Sequence, residues 1–319
     1  MHDLTYGDVE RAAARIDGRT RPVTVAPAGS GAGGSRGRVW LALEFLQHTG
    51  SFKARGAWNF LAAHREAGTL PGAGVTIASG GNAGLACAWA AQQQGLPATV
   101  FLPASAPQVK VARLRGYGAD VRLAGTEYAE ALAACEEFTR TTGALASHAY
   151  DHPLIAAGAG TLLDEIRARV PGLDTVVVAV GGGGLFAGVA TAARQHGIRT
   201  VAVEPAGSRA LHAALEAGRV VDVTVDSVAA DALGARRVSE TALTAARRPG
   251  VTSVLVPDEA ITGARTALWD EHRIVVEPAG STALAALMPG GPYVPEPGET
   301  VAVILCGANT DPSDLVHDT

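Results

Sequence analysis

The chain has 319 residues, of which 47% are hydrophobic, and a formal net charge of −5. That is enough apolar material for two buried cores, so one or two domains are expected. The scattered arginines leave no broad electrostatic footprint for nucleic acid, and no apolar run approaches the roughly 18 residues of a membrane span.

The N-terminal stretch has no basic segment followed by an apolar core, and Cys87, Cys135 and Cys306 are odd in number and far apart. A cytoplasmic enzyme acting on a small molecule, without a disulfide framework, is therefore expected. None of the nine histidines forms a His-Glu-x-x-His pair or lies at ligand spacing to a cysteine, which speaks against a catalytic zinc.

In chain order, Thr5 to Ile16 reads as a short amphipathic helix, and Pro27 to Ser35 as a flexible glycine-rich loop. Val39 to Leu43 is a strand, after which a helix opens near Lys53 and runs to Gly68. Three strand-helix units follow: Val75 to Ala78 before a helix from Asn82, Ala98 to Leu102 before one near Gln108, and Asp120 to Leu123 before one near Tyr128. A strand near Leu145 to His148 closes this set. The pattern then resumes with a helix from Leu154, strand Thr175 to Val180, a helix from Gly184, and strand Arg199 to Val203. Later come strand Ser253 to Val256, a helix from Asp258, a helix after Glu277, and a last strand Thr300 to Leu305. Strands alternating with helices of about a dozen residues predict an α/β protein with two doubly wound parallel-sheet lobes. The nearly continuous β-branched runs suit strands buried on both faces.

Four stretches in this pattern could carry chemistry. Lys53 and Lys110 are the only lysines, since positive charge is otherwise carried by arginine. A partly desolvated lysine can lose its proton and act as nucleophile or base, which arginine cannot. The structural alternative for Lys53 is a snorkelling side chain in a first helical turn capped by Ser51. Ser79-Gly80-Gly81-Asn82 lies between a strand and a helix, where backbone N–H groups and the positive helix end suit a carboxylate. A plain turn with Asn82 as N-cap is the alternative there. Gly181-Gly182-Gly183-Gly184 follows another strand and lets amides converge on a phosphate. Gly182, Gly184 and Ala187 also fit a dinucleotide fingerprint, with Glu204 about where a ribose-binding acid belongs, so a nicotinamide oxidoreductase is a rival reading. Cys306 stands at the carboxyl end of the last strand, where parallel sheets bind ligands, whereas Cys87 and Cys135 read as small core residues.

The stretch Thr49-Gly50-Ser51-Phe52-Lys53-Ala54-Arg55-Gly56-Ala57 resembles the lysine motif of the serine and threonine dehydratases, fold-type II enzymes dependent on pyridoxal 5′-phosphate (PLP). The resemblance implies a tryptophan synthase β-like fold, with residues 46–146 as a small domain inserted into a large one made of 1–45 and 147–319. It implies that Lys53 holds the cofactor covalently as a Schiff base and serves as catalytic base, with Phe52 packed near the ring. Ser79, Gly80, Gly81 and Asn82 would grip the substrate carboxylate, with Asn82 also facing the cofactor's phenolic oxygen. Gly181 to Gly184 would cup its phosphate, and Cys306 would meet the ring nitrogen, although Ala308 stands where the family usually has Gly or Ser. The activity implied is α,β-elimination of L-serine or L-threonine to a 2-oxo acid and ammonia.

Serine racemases resemble this family but carry Ser where this chain has Gly80, which disfavours racemisation; β-replacement enzymes usually lack the Phe and Arg-Gly of the motif. Tyr150, where family members often have Phe, would bring a hydroxyl to the substrate pocket and admit a different hydroxyamino acid. The chain ends soon after the Cys306 loop, so an allosteric domain is not expected, and a homodimer is the usual assembly in such families.

Overall fold

The computed structural model describes residues 3–29 and 37–315. Most of the glycine-rich loop expected at Pro27 to Ser35 lies outside the described residues. The strands are β1 (Val25–Pro27), β2 (Arg38–Ala42), β3 (Val75–Ala78), β4 (Ala98–Leu102), β5 (Asp120–Leu123), β6 (Leu145–Ala146), β7 (Thr175–Ala179), β8 (Arg199–Pro205), β9 (Val251–Val256) and β10 (Thr300–Ile304). They form two sheets, a six-stranded one in the order β1-β2-β10-β7-β8-β9 and a four-stranded one in the order β5-β4-β3-β6. All neighbouring strands are parallel except β1, which pairs antiparallel with β2. That short edge strand was not foreseen, because three residues carry too little alternation to register as a strand.

Helices fill both faces, as buried parallel strands require. They are α1 (Tyr6–Ile16), α2 (Lys53–Glu66), α3 (Asn82–Gln93), α4 (Gln108–Gly116), α5 (Tyr128–Thr142), α6 (Pro153–Arg169), α7 (Gly184–Gln195), α8 (Ala210–Ala217), α9 (Ala230–Leu233), α10 (Glu240–Ala246), α11 (Asp258–His272) and α12 (Pro278–Ala285). Helices α8, α9 and α10 were missed in the sequence, being short and bounded by polar turns. Thr5 caps α1 in a capping box with Asp8.

Three helices approach unusually closely, and glycine permits it. A Cβ on Gly56 of α2 would lie 2.7 Å from the Ile155 carbonyl of α6, and one on Gly160 of α6 would lie 2.7 Å from the Gly188 carbonyl of α7. Backbones in such contact cannot accommodate even a methyl group without moving apart. The stack of α2, α6 and α7 carries Lys53 at one end and the tetraglycine at another.

One buried ion cluster locks two of these helices, α2 and α6, together. The Arg55 guanidinium is wholly buried and donates to Glu44 at 2.6 and 3.1 Å and to Glu165 at 2.5 and 3.0 Å. It also donates to Thr161 Oγ1 at 3.3 Å, so α2, α6 and the 3-10 turn Glu44–Leu46 are joined through one side chain. Facing two carboxylates, Arg55 is held firmly in its charged form.

Candidate active site

The site is assembled from the carboxyl ends of strands in both sheets. The tetraglycine follows β7 and opens α7, the Ser79–Asn82 loop follows β3 and opens α3, and Cys306 follows β10. The two sheets turn these ends toward one another, so loops distant in sequence line a single cavity of about 710 Å³. Phe52, Lys53, Ser79, Gly80, Gly81 and Asn82 are on its wall, and so are Gly181 to Gly184, Cys306 and Tyr150. Every residue that the resemblance assigns to the site therefore lines this one cavity, whereas Ala187 and Glu204 of the dinucleotide reading do not.

Lys53 is positioned by its neighbours rather than by a helix cap. Phe52 is the N-cap of α2 and makes no side-chain cap bond, and the Ser51 hydroxyl is buried with no partner, so the Ser51 cap of the structural alternative is not formed. The preceding loop is instead pinned to the last strand's exit: Phe52 N–H donates to the Cys306 carbonyl at 3.0 Å, and Ala308 N–H donates to the Gly50 carbonyl at 3.0 Å. Thr49 takes a left-handed conformation (φ 63°) that costs a non-glycine residue energy and is held in place by Asn309, whose amide donates to the Thr49 carbonyl at 2.8 Å.

The Lys53 amine donates to the Ala149 carbonyl at 2.7 Å and lies 4.8 Å from the centre of the Phe52 ring. Burial lowers its pKa to about 8, while the nearby Cys306 and Glu277 pull the other way. The Cys306 thiol is pushed up to about 12 by burial and by Glu277, and donates to the Ala279 carbonyl at 3.5 Å, so it is neutral at physiological pH.

Three of the four glycines are required for different reasons. Gly183 adopts φ 94°, a backbone state open to glycine, and any Cβ there would run into Ala242. A Cβ on Gly182 would collide with the Tyr150 ring, and one on Gly184 would lie 2.8 Å from the Tyr150 carbonyl. Tyr150 thus lines the cavity with its ring face, while its hydroxyl donates to the Arg237 carbonyl at 3.2 Å rather than standing free for substrate. Among the described residues the N–H groups of Gly182 and Gly183 meet no protein acceptor, and the first turn of α7 adds its own unpaired donors.

The dinucleotide reading does not survive the placement of Glu204. Its carboxylate is wholly buried and accepts the N–H groups of Leu211 and His212 at 2.7 and 2.8 Å, at the start of α8. It caps a helix and offers nothing to a ribose.

Some residues of the site were not legible in the sequence. Glu277, just before α12, accepts from the Asn82 amide at 2.7 Å, and Lys110 of α4 pairs with Asp231 of α9 at 2.7 Å across the cavity wall. Asn82 is the first residue of α3, not its cap, which is Gly81. The signal for Glu277 lay only in its position before a Pro-started helix, a common place for a simple capping acid. Among the described residues no group of His, Cys, Asp or Glu could hold a metal ion, and no helix is long and apolar enough to cross a membrane.

The residues present fit pyridoxal phosphate on chemical grounds: a half-buried amine of lowered pKa, unpaired amides at the positive end of a helix for a phosphate monoester, and a neutral thiol on the same wall. Fold and site define a fold-type II PLP-dependent enzyme. The family described as pyridoxal-phosphate dependent enzyme matches residues 16–307, and the chain belongs to it. It is 39% identical to an L-threonine ammonia-lyase from Geobacter sulfurreducens over 86% of this chain and 67% of that enzyme. It is 36% identical to a serine dehydratase-like protein from Rattus norvegicus over 88% of each. Among solved structures, the processed form of threonine deaminase isoform 2 from Solanum lycopersicum superposes with a TM-score of 0.88 at 29% identity, covering 97% of this chain and 86% of that one. Maize serine racemase superposes with a TM-score of 0.86 at 27% identity, covering 98% and 96%.

Proposed function

We propose that the chain is a PLP-dependent ammonia-lyase that eliminates water from a β-hydroxy amino acid, L-serine or L-threonine in the first instance, to give a 2-oxo acid and ammonia. The observation that carries this reading is Lys53 itself, an amine of lowered pKa on the wall of a cavity that two glycine-rich loops, each opening a helix, also line. The relatives named threonine ammonia-lyase and serine dehydratase support the choice of reaction.

When bound, the cofactor supplies the electron sink that makes the Cα–H bond acidic. Gly181 to Gly184 and the start of α7 hold its phosphate, and the Cys306 thiol, being neutral, leaves the ring nitrogen without the full charge a carboxylate partner would stabilise. A sink of that strength suits elimination, where the departing hydroxyl carries the electron pair away. The N–H groups of the Ser79–Asn82 loop orient the substrate carboxylate at the positive end of α3. The Lys53 amine takes the Cα proton, and the hydroxyl leaves with a proton as water. Hydrolysis consumes one water, so the net products are one 2-oxo acid and one ammonia per amino acid.

Racemisation needs a second proton donor on the far side of Cα, and Gly80 provides no side chain there. A Cβ at Gly80 would sit 2.8 Å from the Leu102 side chain, so a serine at this position requires Leu102 to shift. The test is direct. Borohydride reduction should leave a pyridoxyl adduct on the Lys53 peptide, and L-serine or L-threonine should yield pyruvate or 2-oxobutanoate with equal ammonia and little D-amino acid. An adduct on Lys110, or D-serine accumulating without keto acid, sinks the assignment.

A further inference from the structure

Asn82 sits in a chain of hydrogen bonds whose polarity is fixed at both ends. At one end, the Arg113 guanidinium of α4 can only donate, and it donates to Asn309 Oδ1 at 2.5 Å. The Asn309 amide nitrogen then donates to the Thr49 carbonyl, an acceptor only, and to Asn82 Oδ1 at 2.6 Å. At the other end, Asn82 Nδ2 donates to Glu277 Oε1 at 2.7 Å. The second carboxylate oxygen of Glu277 accepts the Asn309 backbone N–H at 3.1 Å. Reversing the Asn82 amide would set donor against donor at Asn309 and acceptor against acceptor at Glu277, so only one orientation is allowed.

Glu277 is 5% exposed and faces the cavity, and Gly307 has no room for a side chain because a Cβ there would strike the Glu277 carboxylate. A buried carboxylate that accepts two N–H groups of one network has been given a definite place. Asn82 Oδ1 is engaged by Asn309 and one Nδ2 hydrogen by Glu277, so an N–H is what the amide has left to offer the cavity.

We propose that Glu277 is a positioning residue for the reaction: by accepting from Asn82 Nδ2 while held by the Asn309 N–H, it fixes the Asn82 amide as a donor toward the oxygen of a ligand in the cavity. The inference rests on the cofactor reading above, with the PLP phenolic oxygen as that acceptor. Glu277 itself touches neither cofactor nor substrate in this role.

Glu277→Gln tests it with almost no change of shape. Glutamine has a single acceptor for two donors, and the Asn309 backbone N–H cannot turn around. The glutamine N–H₂ then faces Asn82, which must rotate and lose its bond to Asn309. Affinity of the apoprotein for PLP and for 3-deoxypyridoxal phosphate, which lacks the phenolic oxygen, is the readout, with thermal melting to confirm an intact fold. Glu277→Gln should weaken PLP binding by about tenfold or more, as for a charge-assisted hydrogen bond, and weaken the 3-deoxy analogue far less. In an Asn82→Ala background it should add little, because both changes remove the same interaction. Equal losses for PLP and the analogue, or additivity with Asn82→Ala, overturn the inference. A wild-type protein that binds no PLP at all fails the cofactor reading beneath it, a result visible before any variant is made.

Discussion

At the scale of single residues, the site rests on what burial does to one amine. Water-exposed lysine holds its proton to about 10.4, and Lys53 loses it near 8 because the charged form is poorly solvated. Only the uncharged amine can attack an aldehyde, so well below 8 the reactive fraction rises about tenfold per pH unit, reaches one half at about 8 and is nearly complete roughly a unit above it. The rate at which apoprotein captures PLP should therefore climb with pH, pass its half-maximum near 8 and level off roughly a unit above it, after allowance for the cofactor's own titration. A rate still rising steeply above pH 9 would show that Lys53 behaves as an exposed lysine. The scarcity of lysine and the motif around it made Lys53 legible in the sequence. Glu277 was not, since its partners Asn82 and Asn309 stand 195 and 32 residues away and pair only once two sheets face each other. Tyr150 was legible as a wall of the pocket but not in detail, because the carbonyl that takes its hydroxyl belongs to Arg237 on a distant loop.

At the scale of elements, the strands before each functional loop were readable because buried parallel strands are β-branched runs with glycine turns at their ends. The role of Arg55 was not readable. It follows Lys53 by two residues in a motif that suggests chemistry, yet its guanidinium points away into a cluster with Glu44 and Glu165. Its function is to hold α2 against α6, and through α2 to hold Lys53. Arg55→Ala leaves two partly or wholly buried carboxylates without their cation, and such losses cost about 3–5 kcal/mol. Chemical denaturation of the variant should show a fall of that order. Arg55→Lys should recover only part of it, because an ammonium cannot serve both carboxylates in the planar two-pronged manner of a guanidinium. Equal stability of wild type and Arg55→Ala would mean that glycine-mediated contact of α2 and α6 alone holds the lysine loop.

At the scale of the whole molecule, the four-stranded sheet belongs to the segment from Val75 to Ala146, and the six-stranded sheet is built from chain on either side of it. We propose that residues 46–146 form the inserted small domain expected from the sequence, with the cavity between it and the rest. Among the described residues, two side-chain contacts reach from α4 to the chain beyond Ala146: Arg113 to Asn309, and Lys110 to Asp231, the second pair lying on the cavity wall. The second pair is exposed, at 36% and 68% of the side-chain surfaces, so it adds little to stability. Its effect should be on substrate capture instead. Asp231 offsets the charge of the one lysine besides Lys53, and that lysine lines the cavity an anionic carboxylate must enter. Asp231→Asn exposes the Lys110 charge without removing any packing. Melting temperature should be nearly unchanged, and KM for the amino acid should fall by roughly twofold at low salt with kcat unaltered, an electrostatic gain that screening reduces as ionic strength rises toward physiological values. A rise in KM would show that Asp231 itself receives the substrate, through its ammonium group, and that Lys110 serves to hold that carboxylate in place.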